Sequence, residues 1–389
     1  EVLSEKSLNW AKEENKLTES QLKSDPRYQQ SFEEALKILS SKDKITSISF
    51  YGDMVYNFWK DTKNPRGVLR RAKFVDYRAQ KKPNWETVLD IDKLNVTENK
   101  KWVYKSMKCL KPEYTHCMLK LSPGGSDAAV IREFNTKEKA FVKNGFSLPV
   151  AKSGVLWLDK DTLLARYAID KSEYSDSGYP LVVRKWKRGM KIEKAPVIFS
   201  TDKSSMAIWP YVIEDKNKKK FIFLSESVDF YNVKHWMLQN GEFKQLNLPL
   251  KGDLLGNLDH PLSFETRSEW KGTKKGTLVS FKLEDALKKD FKIKTLFVPT
   301  LSKALGSIDI TKDYVIAQIK ENVRDYALLY SWDKNKSTFK TTQLDLPKDG
   351  SLSITSRSED HNAILYSYES HLTPDSQVYT EISEKNGEI

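Results

Sequence analysis

Residues 46–89 read TSISFYGDMVYNFWKDTKNPRGVLRRAKFVDYRAQKKPNWETVL. Four runs rich in β-branched and aromatic residues lie within them: Ser47 to Phe50, Met54 to Lys60, Val68 to Val75 and Trp85 to Leu89. The turn groups Tyr51-Gly52-Asp53 and Asn64-Pro65-Arg66-Gly67 separate the first three. Short apolar runs bounded by Gly, Pro, Asn and Asp predict strands joined by tight turns, so this stretch is one four-stranded unit. The unit repeats. First apolar runs begin at Thr46, Trp102, Gly154, Ala207, Leu255, Gly306 and Leu352, at steps of 46 to 56 residues. A period near fifty with about four short strands per unit predicts a seven-bladed β-propeller, an all-β fold that grows by radial repetition. Two tandem β-sandwiches would also give many short strands, but they would break the rhythm near the middle.

The later units follow the same grammar. Trp102 to Met107, Thr115 to Leu121 and Ala128 to Phe134 form the second, with Pro123-Gly124-Gly125 as a hairpin turn. In the third, Gly154 to Leu158, Thr162 to Ala168 and Leu181 to Trp186 are strands, and a long polar connection from Asp170 to Pro180 parts the last two. In the fifth, Leu283 to Leu287 predicts a helical turn. The seventh shows only three convincing strands, Leu352 to Thr355, Ala363 to Tyr368 and Gln377 to Ile382.

Residues 1–44 differ in kind and form a separate helical segment ahead of the propeller at 45–389. Leu8, Ala11, Leu17 and Leu22, then Tyr28, Phe32, Ala35, Leu36 and Leu39, recur at helical steps. Asp25 before Pro26 predicts an N-cap followed by proline at the first helical position. Two helices this short need their apolar stripes covered.

At 39% hydrophobic residues, and with no apolar run long enough for a membrane helix, the composition points away from a membrane span. The net charge of +12 includes a local cluster at Lys216, Lys218, Lys219 and Lys220. Lysines are otherwise interspersed with Asp and Glu, and a cluster between two apolar runs is expected at a solvated hairpin tip rather than on nucleic acid. Cys109 and Cys117 flank a hairpin turn and would pair only if they face each other across the strands. The low cysteine count favours two reduced thiols and hence a cytoplasmic setting, with a periplasmic one left open.

Several segments together are similar to one family. Ser24-Asp25-Pro26-Arg27-Tyr28 with Phe32-Glu33-Glu34-Ala35-Leu36, then Val55-Tyr56-Asn57-Phe58-Trp59 with Pro65-Arg66-Gly67 and Arg70-Arg71, carry the likeness. Trp85-Glu86-Thr87-Val88-Leu89-Asp90-Ile91-Asp92, Leu121-Ser122-Pro123-Gly124-Gly125-Ser126-Asp127 and Asp176-Ser177-Gly178-Tyr179-Pro180 extend it. The chain thereby resembles the N-terminal part of bacterial prolyl oligopeptidase-family serine peptidases. The resemblance implies a propeller with no shared closing strand. It also implies that the propeller sits over an α/β-hydrolase domain, cleaving after proline, and admits only short peptides. In such an enzyme the N-terminal helices pack on the hydrolase, so here they are expected to repack or to dimerise.

The nucleophile elbow of that hydrolase is missing from this sequence. Small residues two positions either side of the serine let the backbone bend sharply, yet no Gly-x-Ser-x-Gly occurs, and the pairs Gly252/Gly256 and Gly272/Gly276 centre on Leu254 and Lys274. Gly124-Gly125-Ser126 is expected to be turn geometry. His116, His235, His260, His361 and His371 are scattered over different units, and no Cys-x-x-Cys or His-Glu-x-x-His suggests a metal; no cofactor is expected. Most tryptophans fall in strand runs and are expected in the core. Tyr174 and Tyr179, in the polar loop of the third unit, are the candidate contacts to an incoming peptide or a hydrolase domain. The expected function is thus a substrate-gating propeller of a serine endopeptidase acting on short proline-containing peptides, itself non-catalytic. The alternative is a stand-alone binding platform.

Overall fold

The computed structural model describes residues 4–41, 43–79, 83–215, 219–256 and 261–383. Lys216, Lys218 and His260 lie outside these residues. Helices α1 (Glu5–Ser24) and α2 (Tyr28–Leu39) come first, with the Ser4 side chain accepting from the Ser7 N–H to cap α1. The start of α2 falls later than Asp25-Pro26 suggests. The Asp25 carboxylate accepts the Arg27 N–H at 2.8 Å, and its carbonyl takes the Tyr28 N–H, which spends these residues on the turn between the helices.

Seven sheets follow, each built from consecutive strands. Blade 1 holds β1 (Ser49–Tyr51), β2 (Met54–Trp59), β3 (Val68–Lys73) and β4 (Glu86–Asp90), with α3 (Phe74–Arg78) before β4 and α4 (Ile91–Glu98) after it. Blade 2 holds β5 (Trp102–Cys109), β6 (His116–Pro123), β7 (Ala129–Asn135), β8 (Ala140–Phe141) and β9 (Ser147–Ala151). Blade 3 is β10 (Gly154–Asp159), β11 (Thr162–Arg166), β12 (Val182–Lys187) and β13 (Val197–Ser200). Blade 4 is β14 (Ala207–Glu214), β15 (Lys220–Ser227), β16 (Val233–Gln239) and β17 (Glu242–Gln245). Blade 5 is β18 (Gly252–Leu255), β19 (Leu262–Thr266), β20 (Leu278–Phe281) and β21 (Lys294–Phe297), with a single helical turn at Leu283–Asp285. Blade 6 is β22 (Lys303–Ile310), β23 (Tyr314–Glu321), β24 (Arg324–Asp333) and β25 (Thr338–Gln343); blade 7 is β26 (Ser351–Arg357), β27 (Ala363–Glu369) and β28 (Ser376–Glu381).

The first strand of each blade is the innermost. Strand β1 lies against β26, β22 against β26, and β10 against β14. Middle strands are covered on both faces by neighbouring blades, which is why Thr162–Arg166 and Leu278–Phe281 are buried at every position instead of alternating. Each fully buried Leu or Phe contributes roughly 1.5–3 kcal/mol, and such residues are spent between blades. Met118 and Leu148 meet Trp157 and Leu163 at the junction of blades 2 and 3. Leu164 meets Ile208 between 3 and 4, Phe223 meets Phe264 between 4 and 5, and Leu278 meets Ala317 between 5 and 6. Ile316 meets Ile364 between 6 and 7, Val55 meets Leu365 between 7 and 1, and Leu69 meets Leu119 between 1 and 2. Seven junctions for seven blades close the ring: the fold is a seven-bladed β-propeller.

Among the described residues no strand is shared across the closure between blades 7 and 1. Arg78 pairs with Glu381 at 2.6 Å, and Phe74 packs edge-on to Tyr379 with centroids 5.7 Å apart. A cleft of about 970 Å³, lined by Asp53, Phe74, His361 and Glu381 among others, opens beside these contacts. A second cleft on the same seam is lined by Ile45, Ser47, Ser351, Ser353 and Gln377.

Two expectations are corrected, for the cysteines and for Trp209. Cys109 and Cys117 sit directly opposite each other in the β5–β6 ladder and are joined as a disulfide, so the argument for free thiols and a reducing compartment falls. Neither leader helix has a buried residue: α1 and α2 lie against each other, and Phe32 and Leu39 stay 50% and 73% exposed. Trp102, Trp157 and Trp186 are core residues as expected, but Trp209 is 43% exposed.

Candidate functional site

The loop between β11 and β12 carries both candidate tyrosines. Its shape comes from local polar contacts. The Glu173 carboxylate accepts the Ile169 N–H at 2.7 Å and pairs with Arg184. Ser175 donates its N–H to the Tyr179 carbonyl at 2.9 Å, and Gly178, at a φ of 74° open to glycine, returns its own N–H to the Ser175 carbonyl. Tyr174 folds back on this loop, its hydroxyl donating to the Ala168 carbonyl at 3.3 Å. Tyr174 is thereby committed to holding the loop.

Tyr179 points elsewhere. Its ring lies 5.8 Å from that of Trp209 on β14, and Lys152 Nζ stands 4.7 Å above it. The Arg166 guanidinium, at the end of β11, is 4.2 Å from the Trp209 ring centroid and 5.7 Å from that of Tyr179. Lys120 of blade 2 reaches in, donating to the Ser153 carbonyl at 3.3 Å. The structure thus separates the two tyrosines and gathers Tyr179 with Lys120, Lys152 and Arg166, which carried no expectation from the sequence, and with Trp209, which was expected in the core. The available signal was an arginine inside the apolar run Thr162 to Ala168, where a buried charge demands a reason.

Burial without a carboxylate partner pushes the Arg166 guanidinium down to about 10. Lys108 and Lys120 are lowered as well, first by the surrounding protein and then by repulsion from Arg166. The site is a concentration of positive charge flanked by two aromatic faces, suited to binding rather than to proton transfer.

A family model described as the prolyl oligopeptidase N-terminal beta-propeller domain matches residues 3–389. The chain belongs to this family. Relatives of the prolyl oligopeptidase propeller include uncharacterized peptidases of Sinorhizobium fredii and Rickettsia prowazekii. Each is 31% identical across 96% of this chain, which covers 53% and 54% of their lengths. A solved post-proline cleaving enzyme from Rickettsia typhi is similar with a TM-score of 0.90 at 29% identity, over 97% of this chain and 57% of that one. A Galerina marginata prolyl oligopeptidase structure, at 15% identity and a TM-score of 0.72, shares the fold. The chain spans about half the length of the curated relatives it matches.

Against that family background, His235 takes a structural role. His235 is buried, with Nε2 3.3 Å from the Gly252 carbonyl and Nδ1 3.5 Å from Ser225 Oγ, and burial lowers its basicity. Ser126 lies in a hairpin turn in which both Gly124 and Gly125 have positive φ. Among the described residues no group of three or more His, Cys, Asp or Glu side chains converges to hold a metal ion.

Proposed function

We propose that this chain is the substrate-gating part of a serine endopeptidase that hydrolyses short proline-containing peptides, and that it is itself non-catalytic. The observation that carries this is the closed ring of seven blades around a set of innermost strands. A ring held by buried junctions on every side excludes folded proteins by size while passing an extended peptide, and this selection needs no nucleophile. An α/β-hydrolase partner supplies the chemistry. The open stripe of α2, with Phe32, Leu36 and Leu39, supports that partnership, because an apolar face of this kind is costly to leave in water. The purified 389-residue chain is expected to show no turnover of a proline-containing chromogenic peptide. Turnover that co-purifies with the chain through rigorous fractionation would overturn the reading. The stripe also keeps the binding-platform reading in play, and a dimer through residues 1–44 would appear in sedimentation as a mass that falls when Leu36 is changed to Ser.

A further inference from the structure

Arg166 pairs across its sheet with Gly154 of β10 and Val183 of β12, and is 4% exposed. Its Nη1 has no hydrogen-bond partner among the described residues, and neither does Oγ of the fully buried Ser153 beside Gly154. Orphan polar groups at such depth are rare, because each forgoes its bonds to water without replacement. Buried Arg184 has an acid, Glu173, and half-buried Arg188 has Glu133. Among the described residues no acid pairs with Arg166.

The surroundings deepen the imbalance. Lys120 stands over Ser153, Lys152 donates to the Ser177 carbonyl at 2.9 Å, and Lys108 projects from innermost strand β5 with its side chain open to solvent. Asp127, in the hairpin turn of blade 2, is the acid that acts on Lys120. Gly154 matters as well. A Cβ there would stand 3.4 Å from Arg166 Nη2, so the missing side chain leaves that flank of the guanidinium fork uncovered.

We propose that Arg166, together with Ser153 and Lys120, binds a carboxylate of a peptide held within the ring. A planar two-oxygen acceptor matches the guanidinium fork and returns partners to Nη1 and the Ser153 hydroxyl. Tyr179 and the exposed ring of Trp209 give flat faces for the residues on either side of that acid. The carboxylate rests on the orphan donors alone; that its bearer is a peptide rests on the gating reading above. The carboxylate comes either from an Asp or Glu side chain or from a free C-terminus.

Calorimetric titration of the 389-residue chain with three peptides tests this. The peptides are acetyl-Gly-Pro-Glu-Gly-amide, its Gln counterpart, and the Gln peptide with a free C-terminal carboxylate. The Glu peptide is expected to bind about tenfold more tightly than the Gln amide, the worth of one charge-assisted hydrogen bond. That advantage should vanish in Arg166→Met, shrink in the more conservative Lys120→Met, and weaken with added salt. A gain confined to the free-terminus peptide supports the site and assigns it to chain ends. Equal binding of all three, no binding of any, or a preference unchanged in both variants overturns it. The gating reading fails separately: if the chain joined to a hydrolase half cleaves no proline peptide, the Glu preference of the isolated chain still stands.

Discussion

Glu133 is fully buried between blades 2 and 3, where it accepts two bonds from the Arg188 fork at 2.8 and 3.0 Å, one from the Phe146 N–H at 2.9 Å, and lies 2.9 Å from His116 Nδ1. Burial alone would raise its pKa; these partners outweigh that and hold it below the ordinary carboxylate range. Removing one partner strands the charge, so Arg188→Ala is expected to cost about 3 kcal/mol in urea unfolding. A variant as stable as the parent would show that the fork carries nothing. Because the folded pKa is depressed, this stability is present above the unfolded carboxylate value of about 4.3 and is lost as pH falls through the folded one. The acid limb should therefore flatten in Arg188→Ala. At this scale the sequence was least legible. It offered Arg188 and Glu133 no spacing that would pair them, since 55 residues separate them and only the stacking of two blades brings them together. Arg166 was hidden in the same way, and the Tyr179–Trp209 pair depends on a loop from one blade reaching a strand of the next.

Strands were the legible elements, because period-2 burial and turn chemistry are local. The second blade departs from that: β8 and β9 are short additions that both pair with β7, and the two-residue β8 is too brief to leave an alternating pattern. Helix α4 was missed too. Asp90 caps it by accepting the Lys93 N–H at 3.0 Å, directly after the strand run Trp85 to Leu89, and Asp90 to Asp92 were read only as part of the stretch that carries the family resemblance. The leader helices were legible as helices, and so was the apolar stripe that nothing described in the chain covers. Removal of residues 1–40 is accordingly expected to leave the melting temperature of the propeller within about 2 °C of the parent, since no core residue is lost. A drop of 8 °C or more by calorimetry would show that the helices brace the blades.

For the whole molecule, the junction of blades 7 and 1 differs from the rest. It has Ile48, Val55, Ala72, Phe74, Ala363 and Leu365 at its core, whereas the junction of blades 4 and 5 has aromatic rings from Phe223, Phe264, Phe281 and Phe291. Blade 7 presents Ser351, Ser353, Thr355 and Gln377 to the seam cleft. Local stability follows buried apolar contact. Amides of β26 and β28 are expected to exchange hydrogen faster than those of β15 and β20, and mass spectrometry of exchanged peptides checks the order. Equal protection around the ring would mean that the polar contacts, Arg78–Glu381 among them, make up the difference. Radial repetition was readable from the fifty-residue rhythm, while the quality of each junction was not, because it depends on which faces meet. The closure also fixes the topology of the polypeptide path. Ile45, just ahead of the first blade, and Gln377, in the last strand, line one cleft. Glu381, Ile382 and Ser383, which follow it, line the other cleft of the same seam. The described chain thus enters and leaves the ring along one radial seam, so a module joined there, or a circular permutation, has to bridge the depth of the blades and not the width of the disc.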